Sequence, residues 1–192
     1  ATTGQDVILG DDIAVNGDIN FSTDDNQIVL GAFDLTLGDQ ATVTSPDANE
    51  YVVATGIGAV SKGFGTATTF TFPVGGVDYS PLAVDVGAVD VASEVIVNVV
   101  ESAVPTLPAN AIDHIERYWD VSQIGFAAFS ASLDGTYVAG DIAAGGSNVN
   151  NIKGASYNET TTQWKYDGAA ASALVASGDI DDDVQFTGSN SF

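Results

Sequence analysis

Cysteine and methionine are absent from this chain, histidine occurs once, and four basic side chains stand against 26 carboxylates. Each shortage removes a class of function. Without cysteine there are no disulfide staples, no thiolate nucleophile and no cysteine-ligated zinc. With Lys62, Arg117, Lys153 and Lys165 as the only cations, a net charge of −22 repels the phosphate backbone that supplies most nucleic-acid affinity. The same repulsion acts at an anionic membrane surface. No apolar run reaches the roughly 20 residues a spanning helix needs, so nucleic-acid binding and membrane insertion are both unexpected. The start at Ala1-Thr2-Thr3 without methionine reads as an exported chain after removal of a signal segment.

What is present is apolar and turn-rich. Hydrophobic residues make up 45% of the chain and charged ones only 16%, with Thr, Ser, Asn and 21 Gly filling the polar positions. At 192 residues there is enough chain for a sizeable core. Val95, Val97 and Val99 alternate with Glu94, Ile96 and Asn98, the period of a half-buried strand. Comparable stretches fall at 50–60, 66–74, 80–86, 93–101, 115–124, 127–133, 153–157, 162–166, 172–176 and 184–187. Turn residues separate them, and no helix longer than a turn or two is expected. That spacing predicts an all-β fold, a β-sandwich or jelly roll, over residues 45–192.

Residues 1–44 read as short strands preceding the sandwich, arranged as a solenoid or as hairpins. One-sided burial puts Ile13 and Val15 on a face with Ile19 and Phe21, which fits a three-residue connection better than a two-residue Asn-Gly hairpin. Ile28, Leu30, Phe33, Leu35 and Leu37 change parity across Gly31-Ala32, as at a two-residue turn or a corner between solenoid coils. VILGDDIAV and IVLGAFDLTLG form an imperfect repeat of two copies, where solenoids generally have three or more.

Seven short motifs occur in order: Asn26-Gln27-Ile28-Val29-Leu30-Gly31, Leu35-Thr36-Leu37-Gly38, Tyr51-Val52-Val53, Thr55-Gly56-Ile57-Gly58, Phe72-Pro73-Val74-Gly75, Tyr79-Ser80-Pro81 and Arg117-Tyr118-Trp119-Asp120-Val121. Over residues 26–121 this series resembles a β-domain of secreted surface proteins of the Bacteroidota, many of which carry a type IX secretion sorting domain. The resemblance implies export to the cell surface. Read physically, Phe72-Pro73-Val74-Gly75 is a structural corner: Phe70 and Phe72 point inward, Pro73 removes a donor and Gly75-Gly76 give conformational freedom.

The residues carry little chemistry. His114, flanked by Asp113 and Glu116, reads as an ordinary loop or surface histidine, and Ser61, Ser80 and Ser130 lack a nucleophile elbow. Arg117 and Trp119 share a strand face, and a guanidinium stacked on the aromatic and paired with a carboxylate would tie sheet to sheet. Asp179, Asp181, Asp182 and Asp183 beside Gly178 could hold calcium, which takes six to eight oxygens, although the EF-hand spacing fails at Asn190. The other acidic pairs are Asp11-Asp12 and Asp24-Asp25. Asn20-Phe21-Ser22 and Asn158-Glu159-Thr160 fit the glycosylation pattern, which is common by chance.

The expected function is therefore structural: a homopolymer-forming subunit of an extracellular filament or surface layer, not an enzyme. Assembly would proceed through strand edges, with the stretch from Thr2 to Val15 lent to a neighbour. The low-charge stretches 84–100 and 124–133 would suit copy-to-copy contacts. The alternative is an adhesin-like or carbohydrate-binding sandwich using Tyr118, Trp119, Trp164 and Tyr166. A two-acid hydrolase ranks third.

Overall fold

The computed structural model describes residues 5–21, 25–89, 91–111, 113–143, 152–167 and 174–189. Expectations concerning Thr2, Ser22, Asp24, residues 144–151, residues 172–173 and the end from Asn190 lie outside them. The described residues form an all-β protein, with one short 3-10 helix at Ala139–Asp141.

Three strands, β1 (Val7–Ile8), β2 (Ile13–Val15) and β3 (Ile19–Asn20), make one coil of a parallel solenoid. The second coil, β4 (Ile28–Val29), β5 (Leu35–Leu37) and β6 (Val43–Thr44), stacks on it in register. Val7 lies against Ile28, Ile13 against Leu35, and Ile19 against Val43. β7 (Val52–Val53) and β8 (Val60–Phe64) continue the stack. β10 (Val74–Gly75) adds to it beyond β9 (Thr68–Phe72). The expected boundary at residues 44 and 45 falls between β6 and β7, within this stack.

Of the two arrangements open for residues 13–21, the solenoid is the one formed. β2 and β3 pair not with each other but each with its equivalent one coil later, so Asn16-Gly17-Asp18 is a corner and not a hairpin turn. The parity change at Gly31-Ala32 has the same origin. Gly31 takes φ of +62°, and its carbonyl accepts the N–H of Gly58 from the next coil at 3.1 Å. The corners stack so closely that a Cβ on Gly56 would stand 2.0 Å from the Gly31 carbonyl oxygen. Inside, Leu9, Phe21, Leu30, Leu35, Leu37 and Val60 fill the coil.

β8 belongs to both halves of the molecule. One edge takes β5 in parallel, and the other takes β12 (Ser93–Val100) antiparallel. From β12 the sheet runs through β13 (His114–Ile124), β18 (Val184–Ser189) and β15 (Lys153–Asn158) to β16 (Gln163–Tyr166). A second antiparallel sheet, in the order β17-β14-β11-β9, contains β11 (Leu82–Val86), β14 (Ala131–Thr136) and β17 (Val175–Ile180).

The sandwich core is built by alternation. Val95, Val97 and Val99 are all fully buried, as their spacing predicts, and meet Trp119, Val121 and Phe186 on one sheet and Phe72, Leu82, Val84 and Leu133 on the other. Trp119 crosses to Gly135 of β14, where a Cβ would lie 2.6 Å from the indole ring. Its indole N–H donates to the Ser80 carbonyl at 2.8 Å, leaving no buried donor unpaired on this large side chain.

Two expected strands differ in detail. The stretch 66–74 breaks at Pro73: β9 joins the second sheet, and β10 joins the coils. Proline has no N–H to lose at such a crossing, while its carbonyl accepts from Val52 at 2.8 Å. Phe72 is fully buried, whereas Phe70 is half-buried and meets it edge-on at 5.1 Å. The stretch 127–133 becomes strand only from Ala131, after a bend that starts at Gly125 with φ of +90°.

Candidate functional site

The coils carry a one-way ladder of acceptors. Asp12 Oδ1 takes the N–H of Asp34 at 3.0 Å, and Asp34 Oδ1 takes the N–H of Ala59 at 2.8 Å, the same corner one coil further on each time. Asp6 caps Gln27 at 3.0 Å, and Asp18 accepts the Thr42 hydroxyl at 2.6 Å. In the first coil the amide equivalent to those of Asp34 and Ala59 belongs to Asp12, and it is capped by its own neighbour Asp11 at 2.9 Å.

The strands of that first coil are not closed in this way. The N–H groups of Val7, Leu9, Ile13, Ile19 and Phe21 point to the second coil. Alternation therefore turns the backbone groups of Ile8, Ala14 and Asn20 the other way. Among the described residues no strand pairs with that side. Ile8 is 75% exposed, Val7 55% and Ile13 41%. The stretch from Thr2 to Val15, expected to be lent to a neighbour, is from Val7 onward hydrogen-bonded within its own chain, and what it leaves open is its outer edge.

Among the described residues a second open edge is β9. The N–H of Thr136 donates to Pro81 at 2.9 Å and that of Gly87 to Ser130 at 3.2 Å, so the odd-numbered residues of β11 face β14 and its even-numbered ones face β9. Leu82, Val84 and Val86 thus bond Phe72, Phe70 and Thr68, and the backbone groups of Thr69 and Thr71 face outward. Both threonines are exposed. From Tyr51 to Val77 the sequence contains no carboxylate.

The polar residues singled out by sequence have structural partners. Arg117 is buried and bonds Asp141 at 2.8 Å, Glu101 at 3.1 Å and the Ser80 hydroxyl. Carboxylates on the loops hold it, and Trp119 bonds separately to the Ser80 backbone. Burial pushes the Asp141 carboxyl above its usual range, opposed by the Val138 N–H and by Arg117. His114 Nδ1 is 2.7 Å from the Ala111 carbonyl at the start of β13. Lys62, which the sequence reading passed over, is buried inside the coil end. Its ammonium donates to the carbonyls of Gly38, Asp39 and Gly63 at 2.7–2.9 Å, and burial lowers its pKa. Its place between Val60 and Phe64 on one strand face was the available signal.

The aspartates considered for calcium take separate partners. Asp179 accepts from Ser132 at 2.6 Å, Asp182 from Asn158 at 2.8 Å and Asp183 from the Gln123 N–H at 2.9 Å. Asp181 lines an open cleft of about 560 Å3 with Asp182, Trp164, Lys165, Ile180 and Val184. Among the described residues no group of three acidic or histidine side chains is placed to hold a metal ion. Of the aromatics considered for glycans, Trp119 and Tyr118 are buried, while Trp164 and Tyr166 are half-buried. The Asp120 carboxyl is raised by desolvation and by the charges of Glu159 and Asp183, which line a small polar recess with it.

No family model matches this chain, and neither the curated proteins nor the solved structures contain a significant match.

Proposed function

We propose that this protein is a structural subunit of an extracellular filament or surface layer, assembling with copies of itself through β-strand edges. The observation that carries this reading is the asymmetry of the coil stack. Its later coils run into the sandwich through β8 and β12, while its first coil presents strand edges that no other described strand covers, flanked by exposed Val7, Ile8 and Ile13. Natural proteins blunt such edges with proline, lysine or a covering element, and the described part of this coil has no proline or lysine. The motif resemblance of residues 26–121 to secreted Bacteroidota surface domains supports the same setting. Ala14→Pro removes only an outward-facing N–H, so it tests the reading without breaking the fold. Electron microscopy of the purified protein should show polymers for the natural chain and none for Ala14→Pro, with thermal unfolding little changed. Polymers that persist in Ala14→Pro would rule the first coil out.

The alternative, a carbohydrate-binding module, has the cleft beside Trp164 in its favour, where an aromatic face, Lys165 and two aspartates line one opening. A glycan array that lights up for the natural chain and goes dark for Trp164→Ala would establish it.

A further inference from the structure

We propose that β9 is a homodimerisation edge, pairing antiparallel with β9 of a second copy about a two-fold axis through Phe70. The inference rests on the assembly reading above and names one of its contacts. Three observations converge on it.

The first is register. The outward-facing backbone groups belong to Thr69 and Thr71, placed symmetrically about Phe70. In an antiparallel pair centred there, Thr69 of each copy exchanges both hydrogen bonds with Thr71 of the other, and the two Phe70 residues form the closer, non-bonded pair between them. An isologous contact requires such self-complementarity, and the local sequence Thr69-Phe70-Thr71 reads the same in either direction.

The second is charge. Two copies each carrying −22 repel, and a like-charge pair across a strand junction is destabilising. The carboxylate-free stretch 51–77 contains β9, so the edge strand itself brings no acid to the junction, and the acid next to it, Asp85 opposite Thr69, stands one strand back on β11. The first coil, with Asp6, Asp11, Asp12 and Asp18 and no cation, suits a less acidic edge of another copy and not a second first coil.

The third is composition. Exposed Thr69 and Thr71 give the junction β-branched cross-strand pairs, which suit a pleated surface. The joined sheet would run β17-β14-β11-β9 and back through the second copy in reverse order.

The chain's lack of cysteine makes the test direct. Thr69→Cys and Thr71→Cys variants, mixed and oxidised, should give about ten-fold more covalent dimer than either variant alone, because only the 69–71 pair falls within disulfide reach. In sedimentation, the Ala14→Pro variant should run at twice the subunit mass, and adding Thr71→Pro should return it to the monomer. The dimer should strengthen from about 0.05 to 0.5 M salt, since screening relieves the net repulsion. If the natural chain polymerises but Ala14→Pro is monomeric, or if the single-cysteine variants cross-link as well as the mixture, the β9 contact is wrong and the assembly reading stands. A natural chain that stays monomeric at every concentration and salt overturns both.

Discussion

The coil stack and the sandwich bury apolar residues by different means. In the coils, strands of two or three residues lie over their equivalents, valine on isoleucine on valine, and each corner hands a carboxylate to the next amide. In the sandwich, β12 alternates over eight residues beside the eleven-residue β13, and large side chains interlock across two sheets. Repetition of backbone contacts stabilises the first region and the fit of individual side chains the second. Damage should therefore be concentrated in the sandwich and spread thinly in the coils.

The contrast can be tested by substitutions of decreasing effect. Trp119→Ala should lose about 3–5 kcal/mol in denaturant unfolding, as for other large aromatic truncations in a core. Arg117→Leu leaves the Asp141 carboxylate buried beside no cation, and breaking such a pair typically costs about 3 kcal/mol. In the coils, Gly56→Ala forces its Cβ against the Gly31 carbonyl and should cost about 1–3 kcal/mol, whereas Gly10→Ala, with nothing within 4 Å, should be nearly neutral. Asp34→Ala leaves the Ala59 N–H without its acceptor, a loss of about 1 kcal/mol. If Asp34→Ala proved as damaging as Trp119→Ala, the coils would be the keystone and the contrast would fail.

The smallest effect concerns pH. Asp120 has a folded pKa above its unfolded one, so it favours the fold while protonated, and that advantage disappears as pH rises through the raised value. Asp120 is itself exposed, so solvent screens the effect and Asp120→Asn should stabilise only slightly at pH 7. The gain should vanish in acid, where Asp120 carries its own proton. Thermal melts from pH 3 to 7 would show whether the two curves converge.

Much of the fold was legible in the sequence because strand alternation is local: Val95, Val97 and Val99 announce both their strand and its buried face. The corner at Gly31 was legible for the same reason, since a change of parity has few backbone solutions. What alternation could not decide was the partner of each strand. Ile13 to Phe21 has the pattern of a hairpin or of a coil, and only the pairing of Ile13 with Leu35 distinguishes them. Pro73 marked a corner but not that the chain changes sheets there. Lys62 escaped notice because a buried ammonium is satisfied by carbonyls that no motif specifies. The open edges were expected in kind, but Thr69 and Thr71 face outward only because of how β11 divides its bonds between two neighbours.

The acceptor ladder points one way and closes on itself at the start, through Asp11. Each coil thus bonds only its immediate neighbours in the stack, and nothing in the sandwich reads how many have come first. Duplicating a stretch such as residues 28–51 would lengthen the molecule without altering either end. Reach, in this design, is a quantity that gene duplication could set on its own.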